Sequence, residues 1–150
     1  MRTWTNKPGM SSVAVEYEKE VRVPVSSDFD LVTARREGRV MAEKLGFSAS
    51  EATLVATAIS ELARNIVNYA RKGEIHIRLV NNGSRRGIAV IARDQGPGIA
   101  DINLAMRAGY STSNGLGLGL PGVKRIMDEF DIASAPGSGT TITATKWNRR

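Results

Sequence analysis

Apolar and polar positions alternate along several short stretches of the chain, and this spacing predicts β-strands. Three valines alternate with charged or small residues over positions 21–25, which is typical of a strand with one buried face. Positions 75–79 and 88–92 alternate in the same way on either side of an Asn-Gly turn, so we expect them to pair as an antiparallel hairpin. Two last strands are predicted at 132–135 and 140–147, joined by a Pro-Gly turn.

The stretches between these strands carry the spacing of amphipathic helices. The first helix follows Ser27, which forms a capping-box pattern with the aspartate three positions later, and it ends at Gly46. The second runs from about residue 52 to 71, with either Ser48 or Ser50 as its cap, and the third from about 120 to 130. The pattern predicts an α+β fold, a two-layer α/β sandwich with a mixed, mostly antiparallel sheet and helices on one face.

A chain of 150 residues with 41% apolar positions is long enough to bury a core, and we expect one domain. Residues 1–17 show no periodicity, so we expect a flexible N-terminal tail before a single domain at 18–150. No apolar run approaches the roughly 18 residues of a membrane span, and no signal-peptide pattern opens the chain, which favours a cytoplasmic protein.

Charge and composition exclude several classes of function. The net charge of +6 comes mostly from the two ends, since residues 16–145 hold 16 bases and 15 acids. The aromatic residues do not interleave with lysine or arginine, so we expect neither a nucleic-acid nor a membrane partner. The chain has no cysteine and one histidine, which excludes thiolate catalysis and cysteine-ligated zinc. We interpret His76 as an ordinary strand residue and Trp147 as a packing residue.

Three motifs carry candidate chemistry, and the first lies on the second predicted helix. A rotation of about 100° per residue places Glu61, Asn65 and Asn68 on one stripe of this helix. The carboxylate can accept a hydroxyl proton, and the amide oxygen is a hard ligand that suits Mg²⁺. The alternative is the solvated face of an amphipathic helix.

The second motif begins where the strand at 88–92 ends. Asp94 is followed by Gly96 and Gly98, so a carboxylate that can accept an amine proton lies beside backbone that a ligand can approach closely. This arrangement suits a purine base. The alternative is an ordinary turn, because Gly-Pro-Gly also occurs in turns that bind no ligand.

The third motif has glycine at every second position, at Gly115, Gly117 and Gly119, before the third helix. Successive N–H groups of such a loop can meet phosphate oxygens at a helix N-terminus, and a mobile hinge or lid is the alternative. The segment matches the sequence pattern G-x-G-x-x-G of dinucleotide-binding sites. No predicted strand directly precedes it, so we do not interpret it as such a site. The pattern G-x-x-x-x-G-K-[ST] is absent from the sequence.

In this order the motifs, together with Gly139–Thr141, resemble the nucleotide-binding fold shared by gyrase, Hsp90, histidine kinases and MutL. The resemblance covers residues 20–147. Within that superfamily, the small size and the segments at 58–66, 94–99 and 121–130 are similar to the anti-sigma-factor serine/threonine kinases, which include the switch kinases of the stressosome. The resemblance implies a Bergerat-type ATP-binding fold, with ATP and Mg²⁺ as cofactors.

The resemblance also implies a role for each residue of the motifs. Glu61 is the general base toward the substrate hydroxyl, and Asn65 is the Mg²⁺ ligand. Asp94 binds the adenine amine with help from Thr141, and residues 100–114 form a lid over ATP. Five glycines complete the implied site: Gly96 and Gly98 shape the base pocket, and Gly115, Gly117 and Gly119 contact the phosphates.

The implied activity is that of an ATP-dependent protein serine/threonine kinase in a partner-switching stress response. By this resemblance the kinase phosphorylates STAS-domain antagonist or scaffold proteins and, once released, activates a downstream regulator such as a PP2C-type phosphatase. Two alternatives stay open at this point. One is an anti-sigma factor that binds and sequesters a sigma factor directly, and the other is a non-catalytic binding module gated by ATP.

Overall fold

The computed structural model describes residues 2–6, 16–99, 102–106 and 119–149. The strands of these segments are β1 (Arg2–Asn6), β2 (Glu16–Val25), β3 (Gly73–Asn81), β4 (Arg86–Asp94), β5 (Glu129–Ser134) and β6 (Thr140–Trp147). They form one six-stranded sheet in the order β1-β5-β6-β4-β3-β2. Every neighbouring pair among these strands is antiparallel, where the sequence predicted a mixed sheet that is only mostly antiparallel.

The helices cover one face of this sheet. They are α1 (Asp28–Lys44), α2 (Ala49–Asn65), which continues as a π-helical turn (Ile66–Ala70), the short α3 (Ile102–Ala105) and α4 (Gly119–Ile126). The core between the two layers joins Ile59 and Leu62 of α2 and Val123 of α4 to strand residues such as Ile77 and Val90, all of them fully or almost fully buried. The predicted α+β fold with helices on one face is therefore confirmed.

The two long helices begin where their caps were predicted. The carboxylate of Asp30 accepts the backbone N–H groups of Ser26 at 2.8 Å and Ser27 at 3.2 Å, and these bonds lower the pKa of Asp30. At the start of α2, Ser48 Oγ accepts the backbone N–H of Glu51 at 3.1 Å. Both caps fix where the helices enter the layer above the sheet.

One row of residues crosses five strands at the end of the sheet where the candidate motifs lie. Paired Cα positions run in the order Val25, Gly73, Asp94, Thr140 and Ser134. Because α1 follows β2 directly and the π-helical turn leads into β3, the start of α1 and the end of α2 lie at this same end. The fold thus gathers the motif segments around one edge of the domain.

Several element boundaries differ from the sequence prediction. Residues 2–6, predicted as part of a flexible tail, form strand β1 on the edge of the sheet beside β5, where alternating threonines and Trp4 suit an extended backbone. The third helix was predicted to reach Phe130 but ends at Ile126, and Glu129 already belongs to β5. There Phe130 is buried and its neighbours are half-buried, the period-two pattern of a strand.

The opposite face of the sheet carries a smaller apolar cluster of Val80, Ala89, Ile91 and Trp147. Trp147 is buried in this cluster, so its expected packing role is confirmed, and its indole N–H donates to Glu129 Oε2 at 2.6 Å. On the same face, His76 lies in β3 as predicted and is buried with its Nδ1 2.6 Å from Glu20 Oε1.

Candidate functional site

Glu61 is a buried carboxylate near the end of α2, with only 6% of its surface exposed. Its Oε2 accepts the backbone N–H of Gly119, the first residue of α4, at 3.3 Å, and its Oε1 lies 3.7 Å from Arg64 Nη1. The interpretation of Glu61 as part of a solvated helix face is therefore wrong. A carboxylate is costly to bury, and here the Gly119 N–H and the Arg64 guanidinium face it. The catalytic role of Glu61 stays a prediction.

Asn65 lies one helical turn beyond Glu61, at the last residue of α2, and is half-buried. Positions i and i+4 share one face of a helix, so the carboxylate and the carboxamide point to the same side. Asn68, predicted on the same stripe, lies instead in the π-helical turn and is exposed. Such wider turns are frequent at functional sites.

No group of three His, Cys, Asp or Glu side chains in the described segments is arranged to hold a metal ion. The oxygen atoms of the Glu61 and Asn65 side chains do fit Mg²⁺, since Mg²⁺ commonly binds through one or two protein oxygens together with substrate phosphates and water. The side-chain oxygen of Asn65 is a ligand of that kind, and Glu61 lies beside it.

Asp94 ends β4 and is half-buried. Its carboxylate accepts the backbone N–H of Gly96 at 2.9 Å and that of Thr140. Burial raises the pKa of Asp94 above its ordinary value, and the two backbone hydrogen bonds oppose this shift. The carboxylate keeps further lone pairs, which can accept protons from a ligand amine.

Two turns pack tightly around Asp94, and each needs glycine at the contact. Gly98 has φ +80°, and a side chain there would overlap the backbone oxygen of Ala135. Gly139 has φ +76°, and a side chain there would overlap the backbone oxygen of Asp94 itself. Since L side chains avoid this region of φ and neither backbone oxygen can move freely, these positions accept only glycine. The part of Gly98 in shaping a base pocket stays a prediction.

The structure does not bring Thr141 to Asp94. In the pairing of β4 with β6, Thr141 is opposite Arg93 and Thr140 is opposite Asp94. Side chains of directly paired residues share a face, and successive side chains alternate, so Thr141 faces the other side of the sheet. Thr140, and not Thr141, is therefore the threonine that shares a face of the sheet with Asp94. The register between β4 and β6 decides which threonine shares a face with Asp94. The sequence alone shows two adjacent threonines and cannot decide between them.

Part of the predicted phosphate and lid region lies outside the described residues. Gly115 and Gly117 belong to this part, whereas Gly119 is described at the start of α4 with φ +65° and its N–H on Glu61. Of the predicted lid, only residues 102–106 are described, and Ile102 is buried in the core. The roles of these segments stay predictions.

Comparisons with known proteins agree with this geometry. A family model described as histidine kinase-, DNA gyrase B-, and HSP90-like ATPase matches residues 50–149. The chain is 53% identical over 127 residues to serine/threonine-protein kinase RsbT of Bacillus subtilis (strain 168), covering 85% of this chain and 96% of the relative. It is 33% identical over 120 residues to the anti-sigma F factor of Thermoanaerobacter sp. (strain X514), covering 76% and 82%.

A solved structure, the mycobacterial sensor histidine kinase MprB, is similar in fold, with a TM-score of 0.52 and 19% sequence identity over 86% of this chain and 99% of that one. The chain belongs to the family of histidine kinase-, DNA gyrase B- and HSP90-like ATPases. The resemblance to serine/threonine kinases of this superfamily, and to RsbT in particular, is confirmed. None of the described helices is both long and apolar enough to cross a membrane.

Proposed function

We propose that the chain is an ATP-dependent protein serine/threonine kinase that uses Mg²⁺ and phosphorylates a partner protein. The observation that carries this proposal is the buried Glu61 carboxylate, held at the start of α4 and one helical turn from Asn65. The described residues fit ATP, since a half-buried acid suits the adenine amine and a helix N-terminus suits phosphate. When bound, ATP supplies the phosphoryl group that is transferred.

In this proposal each polar side chain has one task. Glu61 accepts the proton of the attacking Ser or Thr hydroxyl as the hydroxyl oxygen bonds to the γ-phosphorus of ATP, and the bond from that phosphorus to the oxygen of the leaving ADP breaks. Asn65 holds Mg²⁺ through its amide oxygen, and Asp94 orients the base by accepting from its amine. Because phosphoryl transfer depends mainly on positioning and on neutralising charge, these groups with the N–H groups of the glycine-rich segment suffice.

We infer that the substrates are STAS-domain antagonist or scaffold proteins in a cytoplasmic partner-switching pathway, and that the released kinase activates a PP2C-type phosphatase or another output protein. The similarity to RsbT supports a partner-switching kinase. A surface on α1 supports protein binding: Phe29, Val32 and Val40 are large apolar residues that are 77%, 49% and 41% exposed. Their spacing puts them on one stripe together with the exposed Arg36.

The anti-sigma F relatives favour a second function, direct binding and sequestration of a sigma factor. A non-catalytic module gated by ATP is a further form of the same idea. Glu61→Gln separates these functions from the kinase, because a protein that acts by binding alone keeps its biological output without a proton acceptor at this position.

Nucleotide binding is the first test. Calorimetry with ATP and Mg²⁺ should show binding by the parent protein, loss of binding in Asp94→Asn, and weaker or Mg²⁺-independent binding in Asn65→Ala. If the parent binds no ATP, either alone or with its protein partner present, the kinase proposal is wrong.

Phosphate transfer is the second test. With a STAS-domain partner and labelled ATP, Glu61→Gln should lower the rate of transfer about 10²- to 10⁴-fold while ATP still binds. Glu20→Gln, which removes an exposed carboxylate on the opposite face of the sheet, is the matched control and should leave the rate unchanged. Full transfer activity in Glu61→Gln would remove the general-base role.

A further inference from the structure

Ser134 is a buried polar residue to which the proposed reaction gives no role, yet it joins three segments of the site. It is the last residue of β5 and is 0% exposed. Its Oγ accepts the backbone N–H of Ile99 at 2.8 Å, donates to the backbone oxygen of Gly139 at 3.0 Å, and lies 2.9 Å from Thr140 Oγ1. This hydroxyl therefore connects the turn after β4 to the start of β6.

The number of available protons fixes the direction of these three hydrogen bonds. A serine hydroxyl has one proton to donate and two lone pairs to accept with. The backbone oxygen of Gly139 can only accept, so it takes the Ser134 proton, and the N–H of Ile99 can only donate. All three contacts are satisfied only when Thr140 donates its own hydroxyl proton to Ser134. The oxygen of Thr140 is then left with lone pairs alone.

This direction matters because Thr140 lies next to Asp94. The two residues are directly paired across β4 and β6, so their side chains share a face of the sheet. The corner of the site at Asp94 thus presents two acceptors, a carboxylate and a hydroxyl oxygen whose proton points elsewhere. Two acceptors attract an amine and disfavour a carbonyl oxygen. Adenine carries an amine at the ring position where guanine carries a carbonyl oxygen.

We propose that Ser134 is a positioning residue that directs the Thr140 hydroxyl proton away from the base pocket and so makes the site prefer adenine over guanine nucleotides. This inference rests on the proposed binding of ATP at Asp94. Without the Ser134 hydroxyl, the Thr140 proton is free to rotate toward the pocket and to donate to a carbonyl oxygen. The selectivity of the site then falls even though Asp94 is unchanged.

The test compares ATP and GTP binding by the full chain, each with Mg²⁺, in titration calorimetry. In Ser134→Ala we expect the ratio of the GTP Kd to the ATP Kd to fall about tenfold, which is the effect of one neutral hydrogen bond. Ser134→Cys keeps nearly the same volume and bonds only weakly, so its ratio should fall as well. The cysteine variant supplies the measurement if the alanine variant does not fold.

A variant that lacks the Thr140 hydroxyl distinguishes a positioning role of Ser134 from a purely structural one. In Thr140→Val there is no hydroxyl proton to direct, so adding Ser134→Ala should leave the ratio of the two Kd values unchanged. If Ser134 only supports the turns, its loss weakens the binding of ATP and of GTP equally. The ratio of the two Kd values then stays constant in the protein that keeps Thr140, and this result overturns the inference. If the parent protein binds neither nucleotide, the proposed function falls first and this inference with it.

Discussion

At the residue scale, the site is built from acids that the fold partly withdraws from water. Glu61 is buried at a helix end, and Asp94 is half-buried with two backbone N–H groups on its carboxylate. For Asp94, burial disfavours the charged form of the carboxylate and raises its pKa, so this position is not explained by stability. The raised pKa leads to a measurable effect of pH.

The first prediction concerns the raised pKa of Asp94. Below the ordinary pKa of aspartate, about 3.9, the group is protonated in both the folded and the unfolded chain. Between that value and the raised pKa, the folded chain binds more protons, so the free energy of unfolding falls as pH rises. Because asparagine does not ionise, Asp94→Asn removes this fall in the free energy of unfolding when no nucleotide is present. We expect the variant to gain stability relative to the parent as pH rises from about 3.5 to about 7.

Thermal unfolding without nucleotide at the two pH values checks this prediction. The difference in Tm between Asp94→Asn and the parent should be more positive at the higher pH. Glu43→Gln, which removes an exposed acid of α1, controls for the loss of one charge. A Tm difference for Asp94→Asn that does not change with pH would show that burial of this carboxylate has no effect on stability.

Sequence reasoning reached some of these residues and not others for physical reasons. The sequence identified three residues, Glu61, Asn65 and Asp94, because each belongs to a short motif. The spacing within such a motif can be recognised without knowledge of the fold. Thr140 was missed because the choice between two adjacent threonines depends on which one faces Asp94, and that depends on pairing between strands far apart in the chain. Ser134 was missed because its partners lie in two other segments, the turn at Ile99 and the chain at Gly139 and Thr140.

At the scale of elements, α1 and α2 pack through a glycine. Gly38, in the middle of α1, has no room for a side chain because a Cβ would overlap Ile59 Cδ1 of α2. Gly38→Ala gains about 0.5–1 kcal/mol of helix propensity but overpacks the contact, which costs about 1–3 kcal/mol. The second prediction is therefore that Gly38→Ala lowers the free energy of unfolding by about 1 kcal/mol.

The same contact predicts that the effect of Gly38→Ala on the free energy of unfolding changes sign when Ile59 is shortened. Ile59→Val removes the Cδ1 atom that blocks the new methyl group, at its own cost of about 0.5–1.5 kcal/mol. In that background Gly38→Ala should raise the free energy of unfolding, because only the gain in helix propensity is left. Denaturant unfolding of the parent, both single variants and the double variant measures this coupling. Equal effects of Gly38→Ala in the two backgrounds would contradict the packing argument.

Elements with a strong local signal were predicted well. Strand β6 runs from Thr140 to Trp147 as the alternation predicted, and α1 starts at its predicted cap. The end of α2 was not predicted, because the residues of the π-helical turn have ordinary helical spacing and the wider turn depends on its surroundings. Among these is Gly96, where a side chain would come within 2.6 Å of Ala70 Cβ.

At the scale of the whole molecule, one end of the sheet holds both the candidate ATP pocket and the beginning of α1. The row from Val25 to Ser134 places Asp94 at this end, and α1 starts three residues after Val25. Phe29 lies in the first turn of α1 and is 77% exposed. An exposed apolar stripe is a common feature of protein-binding surfaces, and here it begins at the end of the domain that holds Asp94.

The last prediction separates this surface from the pocket. Phe29→Ala should raise the KM for a STAS-domain substrate about tenfold, the loss expected from one aromatic anchor, because the partner loses contact area. The ATP Kd should not change, since Phe29 belongs to the exposed surface and not to the residues around Asp94. Leu54→Ala truncates a 43% exposed apolar residue of α2 and is the matched control. If both variants keep the parent KM, the substrate docks elsewhere. If Phe29→Ala weakens ATP binding as well, the start of α1 belongs to the nucleotide site itself.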